Sequence, residues 1–186
     1  YGILKFQIKN KDEKITPTVK NNTTVNTVKM KASLKKTTVV YNGKAQKPQI
    51  KEVKVGNNKI SSKYYSISYK NNKNVGTGYA VIRGKGKYKS YSCTVKFKII
   101  PKSTMIKKIT AAKNTAKVKW KKVSGAGGYQ IQCSTSKNFK NAKTKTVKNI
   151  TALKISKLSG KRTYYVRIRS WKKVGKCYIR WKNLYT

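Results

Sequence analysis

The chain has no histidine and only three acidic residues among 186. Those acids are Asp12, Glu13 and Glu52, so from Val53 to Thr186 there is neither a carboxylate side chain nor an imidazole. General acid–base catalysis, carboxylate nucleophiles and calcium, magnesium or imidazole–zinc sites are built from these missing residue types. The nucleophiles that remain, Lys, Tyr, Cys and Ser/Thr, have no base to activate them. The composition argues against an enzyme, a metal site or a cofactor. No apolar run reaches the ~18 residues of a membrane-spanning helix. No secretory leader is visible, and the chain opens at Tyr1 as a processed or truncated product would. No stretch of useful length has helical periodicity.

What fills the space is positive charge. Lys and Arg number 47, for a formal net charge of +44. Almost none of these cations can find an acid within the chain, so their counter-charges must come from outside it. Self-repulsion on this scale opposes a compact state, which predicts that salt or a bound polyanion raises stability. A disordered basic tail would nevertheless lack the 13 tyrosines and the regular Val, Ile and Trp spacing seen here. The length suits one large or two small domains.

Beyond Lys31 the apolar residues recur with period two between Gly and Asn turns, the pattern of β-strands. Tyr65, Ile67 and Tyr69 alternate with Ser66 and Ser68, and KNNKNVG (70–76) then makes a polar turn. Ala80 and Ile82 point one way, and Tyr79, Val81 and Arg83 the other. After the GKGKY turn (84–88), Tyr91, Cys93, Val95, Phe97 and Ile99 share one face of a long strand ending at Pro101, where KSTM marks a linker. In the second half Val118 and Trp120 alternate with lysines. Tyr129, Ile131 and Cys133 follow the SGAGG turn (124–128). Tyr164, Val166 and Ile168 alternate with Tyr165, Arg167 and Arg169, and KKVGK (172–176) leads into CYIRW (177–181). The expected fold class is all-β, with a β-sandwich in each half.

The second half resembles a fibronectin type III domain. Trp120 matches that family's core tryptophan, Tyr129-Gln-Ile131 its third strand, and Leu158-x-Gly-x-Arg-x-Tyr164-x-Val166-Arg167-Ile168 its L-x-P-x-T-x-Y-x-V-R-V motif. Gly160 and Arg162 stand where proline and threonine are usual. The resemblance implies a structural core of Trp120, Tyr129, Ile131, Tyr164, Val166 and Ile168, with the Tyr164 hydroxyl bonded to backbone a few residues upstream. The first half resembles the bacterial immunoglobulin-like repeats of secreted and wall-attached Gram-positive proteins. The matching stretches are Tyr41-Asn-Gly-Lys-Ala45, SISYKNNKNVGTG (66–78), GKGKY (84–88) and FKIIPK (97–102). Here Lys63 replaces a usual aspartate, and Tyr79, Arg83 and Lys87 replace Thr, Thr and Asn. A repeat of this kind before a fibronectin type III domain is similar to the tail of a clostridial or other Firmicutes surface protein. The implied organisation is a polar leader or extra strand over 1–30, an immunoglobulin-like domain over 31–101 and a fibronectin type III domain over 102–186.

Cys93, Cys133 and Cys177 form an odd set without metal-ligand or CxxC spacing, and read first as small buried hydrophobes. The resemblance implies that the strands of Cys133 and Cys177 flank a third strand. The two thiols then lie at opposite ends of the sheet, beyond the ~7 Å Cα limit for bridging. Three free thiols are expected.

Two surfaces stand out. In the first half, Lys70, Lys73, Tyr79, Arg83, Lys85, Lys87 and Lys89 interleave cations with a ring, as a polyanion groove needs; the plainer reading is that lysines coat the whole molecule. In the second half, Arg167, Arg169 and Trp171 have outward parity, near Lys172, Lys173, Lys176, Arg180 and Trp181. Guanidiniums stacked between these indoles would form either a self-satisfied ladder that stiffens the sheet or an aromatic–basic platform for a ligand. The leading functional expectation is a non-catalytic, secreted or surface-attached module that binds acidic polysaccharide, teichoic acid or nucleic acid through charge. The alternatives are a protein ligand for a host receptor and an architectural spacer.

Overall fold

Strand follows strand wherever the period-two pattern runs, as the computed structural model describes over residues 28–181. The leader expected over 1–30 lies almost entirely outside the described residues, and Met30, at its end, opens the first strand instead. The first seven strands are β1 (Met30–Leu34), β2 (Thr38–Val40), β3 (Ile50–Val55), β4 (Asn58–Lys59), β5 (Tyr65–Lys70), β6 (Gly76–Gly84) and β7 (Ser92–Ile100). They form a three-stranded sheet of order β1-β3-β4 and a four-stranded sheet of order β2-β7-β6-β5. The next seven are β8 (Ile106–Ala112), β9 (Thr115–Trp120), β10 (Gly128–Ser134), β11 (Lys143–Lys148), β12 (Ala152–Ser156), β13 (Tyr165–Val174) and β14 (Cys177–Arg180). They repeat the arrangement, with sheets of order β12-β9-β8 and β11-β10-β13-β14.

Each pair of sheets closes over its own core. Met30 and Leu34 of β1 and Val53 and Val55 of β3 meet Ala80 and Ile82 of β6 and Phe97 and Ile99 of β7. In the other pair, Ala116, Val118 and Trp120 of β9 meet Tyr129, Ile131 and Cys133 of β10 and Val166 and Ile168 of β13. Burial of one such aliphatic or aromatic side chain contributes about 1.5–3 kcal/mol, and on β7 and β9 the alternating positions are lysines left outside. The fold is therefore all-β: two tandem β-sandwiches, each made of a three-stranded and a four-stranded sheet. Among the described residues, no helix is long and apolar enough to cross a membrane.

Two tyrosines fix the chain path in the second sandwich. The Tyr164 hydroxyl accepts the Ser159 N–H at 2.9 Å, as expected of the corner tyrosine. The Tyr129 hydroxyl accepts the Val123 N–H at 2.8 Å, a bond the sequence did not announce.

The connection between the sandwiches is more tightly held than a linker of polar residues suggests. Pro101 and Thr104 are buried, the Thr104 hydroxyl donates to Lys121 O at 2.6 Å and the Ser170 hydroxyl donates to Lys102 O at 2.5 Å. Tyr41 lies over Gly125: a Cβ at that glycine would stand 2.5 Å from the Tyr41 ring.

The cysteines are all free. Cys133 pairs with Val166 and Cys177 with Val174, at opposite ends of the intervening strand β13. Burial pushes the Cys93 thiol upward from its ordinary value, and that of Cys133 too, where Lys143 partly opposes the shift. Cys177 departs from the expected buried hydrophobe: it is exposed at the start of β14, because that short edge strand has its core-facing positions beyond the end of the packed cluster.

Candidate functional site: the two outer sheet faces

Both four-stranded sheets turn one face to the core and the other outward, and the outward faces carry the expected binding residues. On the first, β6 presents Tyr79, Val81 and Arg83 between β5 and β7. Tyr79 stands directly opposite Lys70 on one side and Lys96 on the other. Cross-strand neighbours have Cβ atoms about 4.5–5.5 Å apart, so two lysine side chains start out on either side of one half-buried tyrosine. Ser66, Ser68 and Thr94 fill the rest of the face with small polar side chains.

The seven residues proposed for this surface do not form one patch. Tyr79 and Arg83 are four residues apart on a strand, or ~14 Å. Lys70 and Tyr79 belong to one end of the face, and Lys73 lies in the loop beyond it. Arg83, Lys85, Lys87 and Lys89 belong to the other end. There Lys87 sits over two rings, 5.8 Å from the Tyr64 centroid and 5.4 Å from that of Tyr88, while Lys63 sits 5.0 Å from Tyr64. Strand length separates the ends, a distance that spacing in the sequence does not reveal. Lys96 was overlooked because it lies on a different strand, 17 residues beyond Tyr79.

The second face is organised differently. Register places Thr144 and Thr146 of β11, Gln130 and Gln132 of β10, and Arg167 and Arg169 of β13 in two cross-strand rows. In one row the Gln132 amide donates to Thr144 Oγ1 at 3.1 Å, and its oxygen accepts the Arg167 Nε–H at 2.8 Å. In the other, the Gln130 amide donates to Thr146 Oγ1 at 3.3 Å, and its oxygen accepts both Nε–H and Nη2–H of Arg169 at 2.8 and 2.5 Å. The Arg167 guanidinium also lies 4.0 Å from the Phe139 ring centroid. Phe139 is buried although its φ is +60°, a left-handed conformation that costs a bulky residue about 1–3 kcal/mol and persists only where surroundings hold it. Burial, then Arg180 and then Arg167, push the Arg169 guanidinium below its ordinary value.

Trp171 corrects the expected ladder of guanidiniums between indoles. Its parity is outward, yet it is only 5% exposed. Gly128 lies directly opposite it on β10, and the indole fills the trough left by that missing side chain: a Cβ at Gly128 would stand 2.6 Å from Trp171 Cζ2 and 2.1 Å from Val147 O. Tyr178 packs edge-on against the same indole at 5.2 Å. The cations on this side meet other rings, with Arg180 5.3 Å and Lys173 5.9 Å from the Tyr178 centroid. Trp181 donates its backbone N–H to Ser170 O, which by strand alternation puts its side chain on Ser170's side of the sheet. Lys172 shares that side, and Lys176 sits at the tip of a two-residue hairpin, since β13 continues to Val174. The platform thus contracts to Arg167, Arg169, Lys173 and Arg180, with Trp171 as its support. Gln130, Gln132, Thr144, Thr146 and Phe139 were overlooked.

Among the described residues, no group of three or more His, Cys, Asp or Glu gathers as a metal site would require. The only ion pair among them joins Lys54 to Glu52 at 3.2 Å.

No family model and no curated protein matches the chain. Among solved structures it is similar to domains A168–A170 of titin, at 11% identity and a TM-score of 0.30. That match covers 86% of this chain and 63% of the titin chain.

Proposed function

We propose that the chain is a non-catalytic binding module for acidic polymers, secreted or held at a bacterial surface, with the two outer sheet faces as its principal contacts. The observation that carries this reading is the lack of internal counter-charge: against 47 Lys and Arg, the described residues contain one ion pair, and that pair is partly solvated. A fold can be built without such an excess. The excess leaves a surface whose electrostatic energy falls when a polyanion arrives and releases its counterions. Acidic glycans, teichoic acid and nucleic acid share the required chemistry.

The test is a binding panel of those three polymer classes at low and near-physiological salt. The expected result is affinity for several of them that falls steeply, with log K linear in log salt. Failure to bind any polyanion at low salt refutes the proposal. Tight binding to one receptor protein that survives high salt supports instead a shaped protein–protein interface.

A further inference from the structure

The chain uses arginine sparingly: Arg83, Arg162, Arg167, Arg169 and Arg180 are its five, and the other 42 cations are lysine. Three of the five lie on one sheet face. Charge alone gives no reason for that choice, because lysine supplies charge everywhere else. A planar guanidinium differs by offering a fixed fork of donors that matches an oxyanion edge-on.

The forks on this face are held. Gln130 occupies the Nε and Nη2 donors of Arg169, Gln132 occupies the Nε donor of Arg167, and both glutamines are themselves oriented by threonines of β11. The Arg167 guanidinium also packs over the Phe139 ring, 4.0 Å from its centroid. Arg167 thereby spends its Nε–H on the sheet, and Arg169 its Nε–H and one Nη2 hydrogen; Nη1 of each and the second Nη2 hydrogen of Arg169 are not used in these bonds. Arg180, on the neighbouring strand, acts on Arg169 as a like charge, and an anion seated between them relieves that repulsion.

We infer that Arg167, Arg169 and Arg180 form a preorganised site for the phosphodiester backbone of a linear, base-free polymer. This rests on the polyanion reading above and gives it one specific site. Arg167 and Arg169 are two strand residues apart, or ~6.8 Å. A three-bond peptide repeat extends ~3.3–3.6 Å, so a six-bond phosphodiester repeat, such as glycerol phosphate, extends to about 7 Å. Consecutive phosphates then meet consecutive arginines. The rings here are already engaged: Trp171 is buried, and Tyr178, though 45% exposed, carries Arg180 at 5.3 Å and Lys173 at 5.9 Å from its centroid. A base that has to displace those cations from Tyr178 gains little by stacking at this face.

The experiment compares full-length wild type with two variants that leave net charge unchanged, R167K/R169K and Q130M/Q132M. Binding of poly(glycerol phosphate), heparin and oligo(dT) is measured by titration calorimetry beside a melting curve for each protein. Loss of the fork or of its orientation lowers affinity for poly(glycerol phosphate) by about tenfold in each variant, while heparin affinity changes less than twofold. If R167K/R169K melts early, Q130M/Q132M decides the question, because it leaves both arginines in place. Wild-type affinity retained within twofold by the folded variants overturns the site and leaves the broader charge-driven reading standing. An equal loss on heparin overturns the phosphodiester assignment. Oligo(dT) binding tighter than poly(glycerol phosphate) of equal phosphate number overturns the base-free assignment.

Discussion

The outer faces of the two four-stranded sheets carry similar charge and differ in how they hold it. On the first, Lys70 and Lys96 flank Tyr79 on flexible stems, and the described residues give those ammonium groups no acidic partner. On the second, hydrogen bonds running across three strands fix the guanidiniums of Arg167 and Arg169. A lysine face adapts to any anion at an entropic cost of immobilising each stem; a clamped arginine face has met that cost in folding. The same net charge can thus serve attraction in one place and geometry in another.

The strongest way to break this comparison is to remove what supports each face. Phe97 beneath the first sheet and Trp171 within the second are both almost completely buried. Truncation of either to alanine is expected to cost about 3–5 kcal/mol, read as a lower denaturation midpoint. A Trp171→Ala protein that melts like wild type would return the indole to the ligand-binding role its parity suggested. Gly128→Ala comes next. Its new methyl has to move the Val147 carbonyl and the Trp171 ring, and overpacking of this kind costs about 1–3 kcal/mol. Unchanged stability would mean that the trough is not what holds the indole.

A smaller effect sharpens the contrast in charge. Replacing Lys70 and Lys96 by glutamine should weaken every polyanion alike and reduce the salt slope by about 1.4–1.8 if both ammoniums contact the polymer, at ~0.7–0.9 per contact. A loss confined to one polymer would show that the lysine face selects too. The smallest effect concerns the thiols. Because burial raises Cys93 and Cys133 in the folded state, their contribution is fully present below the unfolded thiol value and declines as pH rises through the folded one. Measured from pH 7 to 10 and each referred to its own value at pH 7, the wild-type midpoint should fall slightly relative to that of a Cys93→Ala/Cys133→Ala protein, since the change in lysine charge is common to both.

Much of this fold was legible because the core uses one alternation throughout. Ala80 and Ile82 face inward and Tyr79, Val81 and Arg83 outward, as period two requires, and Tyr164 makes its corner bond. The site was less legible. In Tyr129-Gln-Ile-Gln-Cys133 the core positions draw attention to themselves, and the intervening glutamines gain meaning only once register sets them beside Arg169 and Arg167. Parity gave Trp171 the correct side of the sheet but the wrong exposure, because burial also depends on the residue opposite. Phe139 lies in a loop with no periodicity to read, and its role follows from a backbone angle.

One pairing bears on how the chain responds to tension. Strands β2 and β7 run parallel, with Lys98 N bonded to Thr37 O and Tyr41 N to Ile100 O. A pull that separates the residues before Thr38 from those after Ile100 drags the two strands along each other in opposite directions. Their hydrogen bonds are then loaded together instead of opening one after another from an end. Under such a pull this short parallel seam resists as a unit, and the first sandwich opens there only when its bonds fail together.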